Sequence, residues 1–181
     1  MVSLLKGGQP YKMSKRAGNV ILMSDITKEI GADALRFIFL TKKSDTHLEF
    51  DIDTLKNNDS SNPIFYINYA HARINQIFKK ANVDISSVKD LKLKELDENA
   101  TSLLFEALLL PKVLEEAFDK REVQKVTEYL HSLSALLHKF YNETKIVDSD
   151  NQDSYLKILS MVALSIRTGL KLLGINAKET M

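Results

Sequence analysis

The chain has no cysteine. That excludes disulfides, thiolate-bound zinc and cysteine nucleophiles, and it fits a reducing compartment. It has no uninterrupted apolar run long enough to span a bilayer, so a membrane protein is not expected. The opening MVSLLKGGQP lacks an apolar stretch of signal-peptide length, and a cytoplasmic protein is the default expectation. There is no large excess of one charge. Lys and Arg number 25 against 24 Asp and Glu, a net charge of +1, so any affinity for nucleic acid has to come from a local patch. The Walker phosphate loop and the glycine-rich dinucleotide fingerprint are both missing. No internal repeat or low-complexity tract is found.

What is present is enough for a packed core: 44% of the 181 residues are hydrophobic. VSLL and PYKM flank KGGQ, a hairpin whose paired glycines supply the positive φ of a tight turn. Ser24 is placed to cap a helix from Asp25, Gly31 to end it, and ADALRFIFL to form a second. HLEF reads as a short strand and DIDTLKNND as a short helix. From Asn62 the pattern turns fully helical. Asn62 followed by Pro63 is a strong helix start, and that helix is expected to reach Lys80. The stretch VDISSVKDLKLKEL reads as a loop, Asp97 opens another helix, and Pro111 kinks or restarts it. A long amphipathic helix follows from about Arg121, with Val123, Val126, Leu130, Leu133, Leu137 and Phe140 on one face. The last helix carries Leu156, Leu159, Val162, Ile166, Leu170 and Leu173 and stops near Gly174. The expected fold is mainly α: a small β-hairpin and mixed segment over residues 1–59, then an antiparallel helical bundle over 60–181.

Two segments carry chemistry. YKMSKRAGNV places Lys12, Ser14 and Lys15 in a glycine-containing loop, where two ammonium groups and a hydroxyl could meet phosphate oxygens. On composition alone a solvated basic turn is the commoner explanation. The helix from Asn62 has one apolar stripe, Ile67, Ala70, Ile74, Ile77 and Phe78. Beside it runs a stripe of Tyr69, Arg73, Gln76 and Lys80, with Tyr66 on the border. Rings interleaved with cations suit an unstacked single-stranded loop. The equal alternative is tyrosines packed at the core edge and Arg73 paired with a carboxylate. His131 and His138 are seven apart on one helix without a carboxylate alongside, which argues against a metal site. His71 falls on the side away from Arg73.

KMSKR resembles the KMSKS signature of class I aminoacyl-tRNA synthetases. GADALRFIFL is similar to the DALR helix that follows that loop in several members. NPIFYINYAHARI, HLEFD, HKFYNET and the closing LLGINAKETM resemble the arginyl-tRNA synthetase family, in the same order along the whole chain. The resemblance implies the C-terminal part of such an enzyme, from the signature loop through a helical anticodon-binding domain. The HIGH signature is absent, so the isolated chain is not expected to be catalytic. In the parent enzyme Lys12 and Lys15, with Ser14, would contact the phosphates of ATP, used with Mg2+ to activate arginine for transfer to tRNA(Arg). Tyr66, Tyr69, Arg73, Gln76, Lys80, Tyr141, Asn142 and Met181 would face the tRNA, and Arg36 would steady the DALR helix or touch the tRNA bend. The resemblance departs at Arg16, where the broad class has Ser, and at Thr144, where many relatives carry Cys. A monomer without a tightly bound cofactor is expected. The other readings are a helical protein-interaction module, or the same part of another class I synthetase such as the cysteinyl enzyme.

Overall fold

The computed structural model describes residues 2–11 and 20–181. β1 (Val2–Lys6) and β2 (Gln9–Pro10) form the hairpin, Lys6 opposite Gln9. Gly7 and Gly8 sit at φ 58° and 75°, as a two-residue turn between twisted strands requires. The turn is gripped from below. Gly7 N–H donates to Asp53 Oδ2 at 3.0 Å and Gly8 N–H to the Asp51 carboxylate. The Gly8 bond, more than any other contact, holds the Asp51 carboxyl below its ordinary range.

β3 (Leu48–Asp51) pairs parallel with β1, from Val2 opposite Leu48 to Leu5 opposite Asp51, giving the order β2-β1-β3. A parallel pair needs a crossover. Here α1 (Met23–Ile30) and α2 (Ala32–Leu40) provide it, and α3 (Ile52–Lys56) follows β3 directly. α1 begins at Met23, two residues earlier than the Ser24 cap implied. The Asp25 carboxylate reaches back to Leu22 N–H at 3.2 Å and does the capping instead. Gly31, at φ 85°, separates α1 from α2 as expected.

The bundle begins at α4 (Pro63–Ala81). Asn62 caps it through Oδ1 to Phe65 N–H at 3.3 Å. Its Nδ2 ties back to the Leu55 and Asn57 carbonyls at 2.8 and 3.0 Å, so one buried amide fixes where the bundle starts. The connecting stretch contains a 3₁₀ turn (Ser87–Asp90) whose Val88 is buried. α5 (Glu98–Leu108) and α6 (Leu110–Lys120) meet at Pro111, which restarts the helix. α7 (Gln124–Glu143) starts later than its apolar pattern suggested. Arg121 takes a left-handed conformation (φ 54°) that closes α6, and Val123 is left exposed outside the core stripe. α8 (Gln152–Leu172) closes the bundle.

The larger core is centred on Ile67, Ile74, Leu103, Leu130, Leu133, Leu137, Leu156, Leu159 and Ile166, all fully buried. α7 and α8 approach closely at Gly169, where a Cβ would lie 2.8 Å from Leu130 Cδ2. The smaller core gathers Leu4, Ile26, Leu48, Phe50, Ile52 and Leu55 around the sheet. α2 belongs to both: Leu35 packs into the smaller core, Ala34 and Phe37 into the larger. The fold is mainly α with a small mixed sheet, as the sequence led us to expect. No helix among the described residues is long and apolar enough to cross a membrane.

Candidate nucleic-acid interface

Burial of Ile67, Ala70 and Ile74 fixes the rotation of α4. With that face turned inward, Tyr66, Tyr69 and Arg73 come to lie half-buried along the seam with α7, and Gln76 and Lys80 are exposed beyond them. From α7, His131, His138 and Tyr141 reach the same seam.

The rings form a continuous ladder. Phe65 stacks on Tyr69, with centroids 6.0 Å apart and planes 9° from parallel. His138 lies 5.7 Å from Tyr69 and 4.5 Å from Tyr66, and His131 covers Tyr66 at 5.3 Å. At the far end the Arg73 Cζ is 4.6 Å from the Tyr69 centroid and 4.1 Å from that of Tyr141. The Arg73 guanidinium also donates to the Tyr69 hydroxyl. Among the described residues it forms no ion pair with a carboxylate. The core-edge alternative required such a partner for Arg73. The cation is held instead by ring faces, each contact worth about 0.5–2 kcal/mol depending on solvent.

Burial keeps the His138 imidazole below its ordinary pKa. The Tyr66 carbonyl it contacts at 3.4 Å opposes the shift and the Arg73 charge adds to it. The ring is thus neutral near pH 7 and can stack on tyrosine without repelling Arg73. Burial likewise raises the Tyr66 phenol.

Beside Arg73 a cleft of about 410 Å³ opens, lined by Gln76, Lys80, Tyr141, Lys145 and Asp148 together with the apolar Ile77, Ile146 and Val147. Three cations face one carboxylate there. The arrangement offers what an unpaired nucleotide needs: ring faces for a base, and exposed lysines for the phosphates around it.

Of the residues singled out in the sequence, Tyr69, Arg73, Gln76, Lys80 and Tyr141 converge on this place. Tyr66 sits one turn further along the same ladder. Asn142 is exposed on α7 next to Tyr141 but does not line the cleft. Met181 lies elsewhere, in a second cleft of about 460 Å³ with Asp33, Asn68 and Lys178. That cleft shares Phe65 with the ladder. The C-terminal segment reaches it along α4, where Lys178 N–H donates to Asn68 Oδ1 at 3.0 Å and the Lys178 carbonyl accepts from His71 Nδ1 at 2.9 Å. His71 is a buried packing residue, on the side away from Arg73. Arg36 lies at the end of α8, not at the ladder. Lys12, Ser14 and Lys15 lie outside the described residues. Among the described residues no group of three or more His, Asp and Glu is placed to hold a metal ion.

Sequence reasoning singles out neither Phe65 nor Lys145, and it reads His131 and His138 only against a metal site. The heptad spacing of the two histidines was the available signal. It was weighed for metal chemistry and not for stacking.

Residues 67–181 match the family described as DALR anticodon binding domain, and residues 1–53 match tRNA synthetases class I (I, L, M and V). The whole chain is 69% identical to an arginine–tRNA ligase of Aliarcobacter butzleri and 64% identical to that of Campylobacter curvus. It spans 34% of the length of each. A solved Campylobacter jejuni structure, described as an arginyl-tRNA synthetase, superposes with a TM-score of 0.93 at 58% identity. The match covers 100% of this chain and 40% of that one.

Proposed function

The chain belongs to the DALR anticodon-binding domain family, in its arginine–tRNA ligase branch, and on that premise we propose that it is the tRNA-recognising part of an arginine–tRNA ligase. Residues 60–181 seat the anticodon loop of tRNA(Arg), and residues 1–59 belong to the catalytic part. The observation that carries the reading is the Tyr69–Arg73–Tyr141 arrangement beside a cleft containing Lys80 and Lys145. Stacking one base on such rings is worth about 1–3 kcal/mol. The surrounding cations add a salt-dependent contribution from the phosphates.

Lys12, Ser14 and Lys15 are assigned to the phosphates of ATP on the resemblance of KMSKR to the KMSKS signature, and the donor set suits the role: two ammoniums and a hydroxyl match triphosphate oxygens carrying Mg2+. ATP would supply the activation of arginine. This chain's contribution there is charge neutralisation by the two lysines.

The test is fluorescence anisotropy of this chain with labelled tRNA(Arg) and tRNA(Cys) across a salt series. We expect micromolar binding that weakens steeply with salt and prefers tRNA(Arg). Equal affinity for the two would point to a synthetase of other specificity. Absence of salt-dependent binding would favour a protein-interaction module.

A further inference from the structure

The position between Tyr69 and Tyr141 is already filled. The Arg73 guanidinium lies 4.6 and 4.1 Å from the two ring centroids, distances close to those between offset-stacked aromatic rings. The two tyrosines come from different helices, α4 and α7, so their spacing is set by the bundle and not by one helix turn. Arg73 follows Tyr69 by four residues, and its long side chain can reach either the slot or the neighbouring cleft.

We propose that Arg73 is a stand-in for a nucleobase: in the free protein it holds the slot between Tyr69 and Tyr141, and an unstacked base of a single-stranded RNA loop displaces it. This rests on the reading of the chain as an RNA-loop receptor and adds how that receptor is gated. A guanidinium has five N–H donors, and among the described residues the one hydrogen-bond acceptor of Arg73 is the Tyr69 hydroxyl. Among the described residues no carboxylate anchors it. Its other holds are the two ring faces, which a base can take over. The cleft beside it has a volume typical of small-ligand sites and provides somewhere to go. Once released, the guanidinium meets the phosphates flanking the inserted base, so one residue both vacates the seat and closes over it. The planar shape common to guanidinium and base explains why arginine is suited to the task and lysine is not.

The test uses the full 181-residue chain, labelled with ¹⁵N, and an RNA hairpin with 2-aminopurine at each loop position in turn. In the free protein the Arg73 Nε–H proton should resonate upfield, shielded by the two rings. At saturating hairpin it should move to the ordinary arginine position, while one 2-aminopurine is quenched several-fold. Arg73→Ala should keep that quench, with affinity several-fold lower and a salt slope smaller by about one. Tyr141→Leu should lose the quench. If the hairpin binds while the Arg73 proton stays shielded, the displacement is wrong and the receptor reading stands. If no hairpin binds at all, both are wrong.

Discussion

Arg36 Nη1 donates to the carbonyl oxygen of Gly174 at 2.9 Å, tying α2 to the chain just beyond α8 across a separation of 138 residues. Gly174 is at φ 72°, and a Cβ there would run into the same guanidinium. Gly174→Ala should therefore cost about 1–2 kcal/mol for the left-handed backbone alone, plus the loss of the Arg36 contact. Arg36→Ala should cost about 1 kcal/mol. Denaturant unfolding of both single variants and the double variant checks this. The double should be less destabilised than the sum, because alanine at 174 has already evicted the arginine.

Tyr129 is buried on α7, its hydroxyl donating to the Ala107 carbonyl at 3.1 Å. Burial, with some help from the charge of Glu106, pushes the phenol up to about 12 from an ordinary value of 10.0. Below pH 10 the phenol is neutral whether the chain is folded or not. Between pH 10 and about 12 the unfolded chain ionises and the folded one resists, so stability falls there by up to about 1.4 kcal/mol per pH unit. Tyr129→Phe should flatten that alkaline decline. At neutral pH it should cost no more than about 1 kcal/mol, because Ser165 Oγ–H still satisfies the same carbonyl at 3.0 Å. Chemical denaturation at a series of pH values reads both effects.

His138 works at the opposite end of the scale. Its folded pKa lies below the ordinary 6.5 because of burial. The unfolded chain therefore takes up a proton more readily, and stability present above pH 6.5 is lost as pH falls through the folded value. RNA binding should weaken over the same range, since a charged His138 would repel Arg73 and disturb the stacking on Tyr66 and Tyr69. Comparing wild type with His138→Gln by anisotropy between pH 5 and 7.5, at constant ionic strength, checks this. A variant with the same acid-side loss of affinity would remove His138 from the explanation.

The cleft residues should separate into two groups by salt dependence. Tyr69→Ala and Tyr141→Ala should each cost about 1–3 kcal/mol in RNA affinity with an unchanged salt slope. Lys80→Ala and Lys145→Ala should cost less at physiological salt and each lower the slope by about one. Anisotropy at four or more salt concentrations distinguishes the groups. A tyrosine variant that changed only the slope would count against stacking.

Local signals carried most of the architecture. Asn62–Pro63, Gly7–Gly8, Gly31 and Pro111 each act through backbone chemistry within a few residues, and each marks the boundary it should. The sequence also brought Tyr69, Arg73, Gln76 and Lys80 onto one stripe, because helical spacing alone decides that. It could not show that the partners of this stripe would be His131, His138 and Tyr141. That depends on how α4 and α7 are rotated against each other, which the packing of Ile67, Leu133 and Leu137 determines. The starts of α1 and α7 differ from the sequence pattern for a related reason. Ser24 has the right chemistry for a cap, but Asp25 reaches back to Leu22. At Arg121 a residue with no special liking for positive φ adopts it to end α6.

Because Leu35 faces the sheet while Ala34 and Phe37 face the bundle, α2 is a party wall. A cut in the exposed stretch between α3 and α4 would leave the sheet fragment with Phe37 bare and the bundle fragment with a hollow where that ring had been. Limited proteolysis near Asn58 should therefore give two pieces that travel together through gel filtration and melt in a single step.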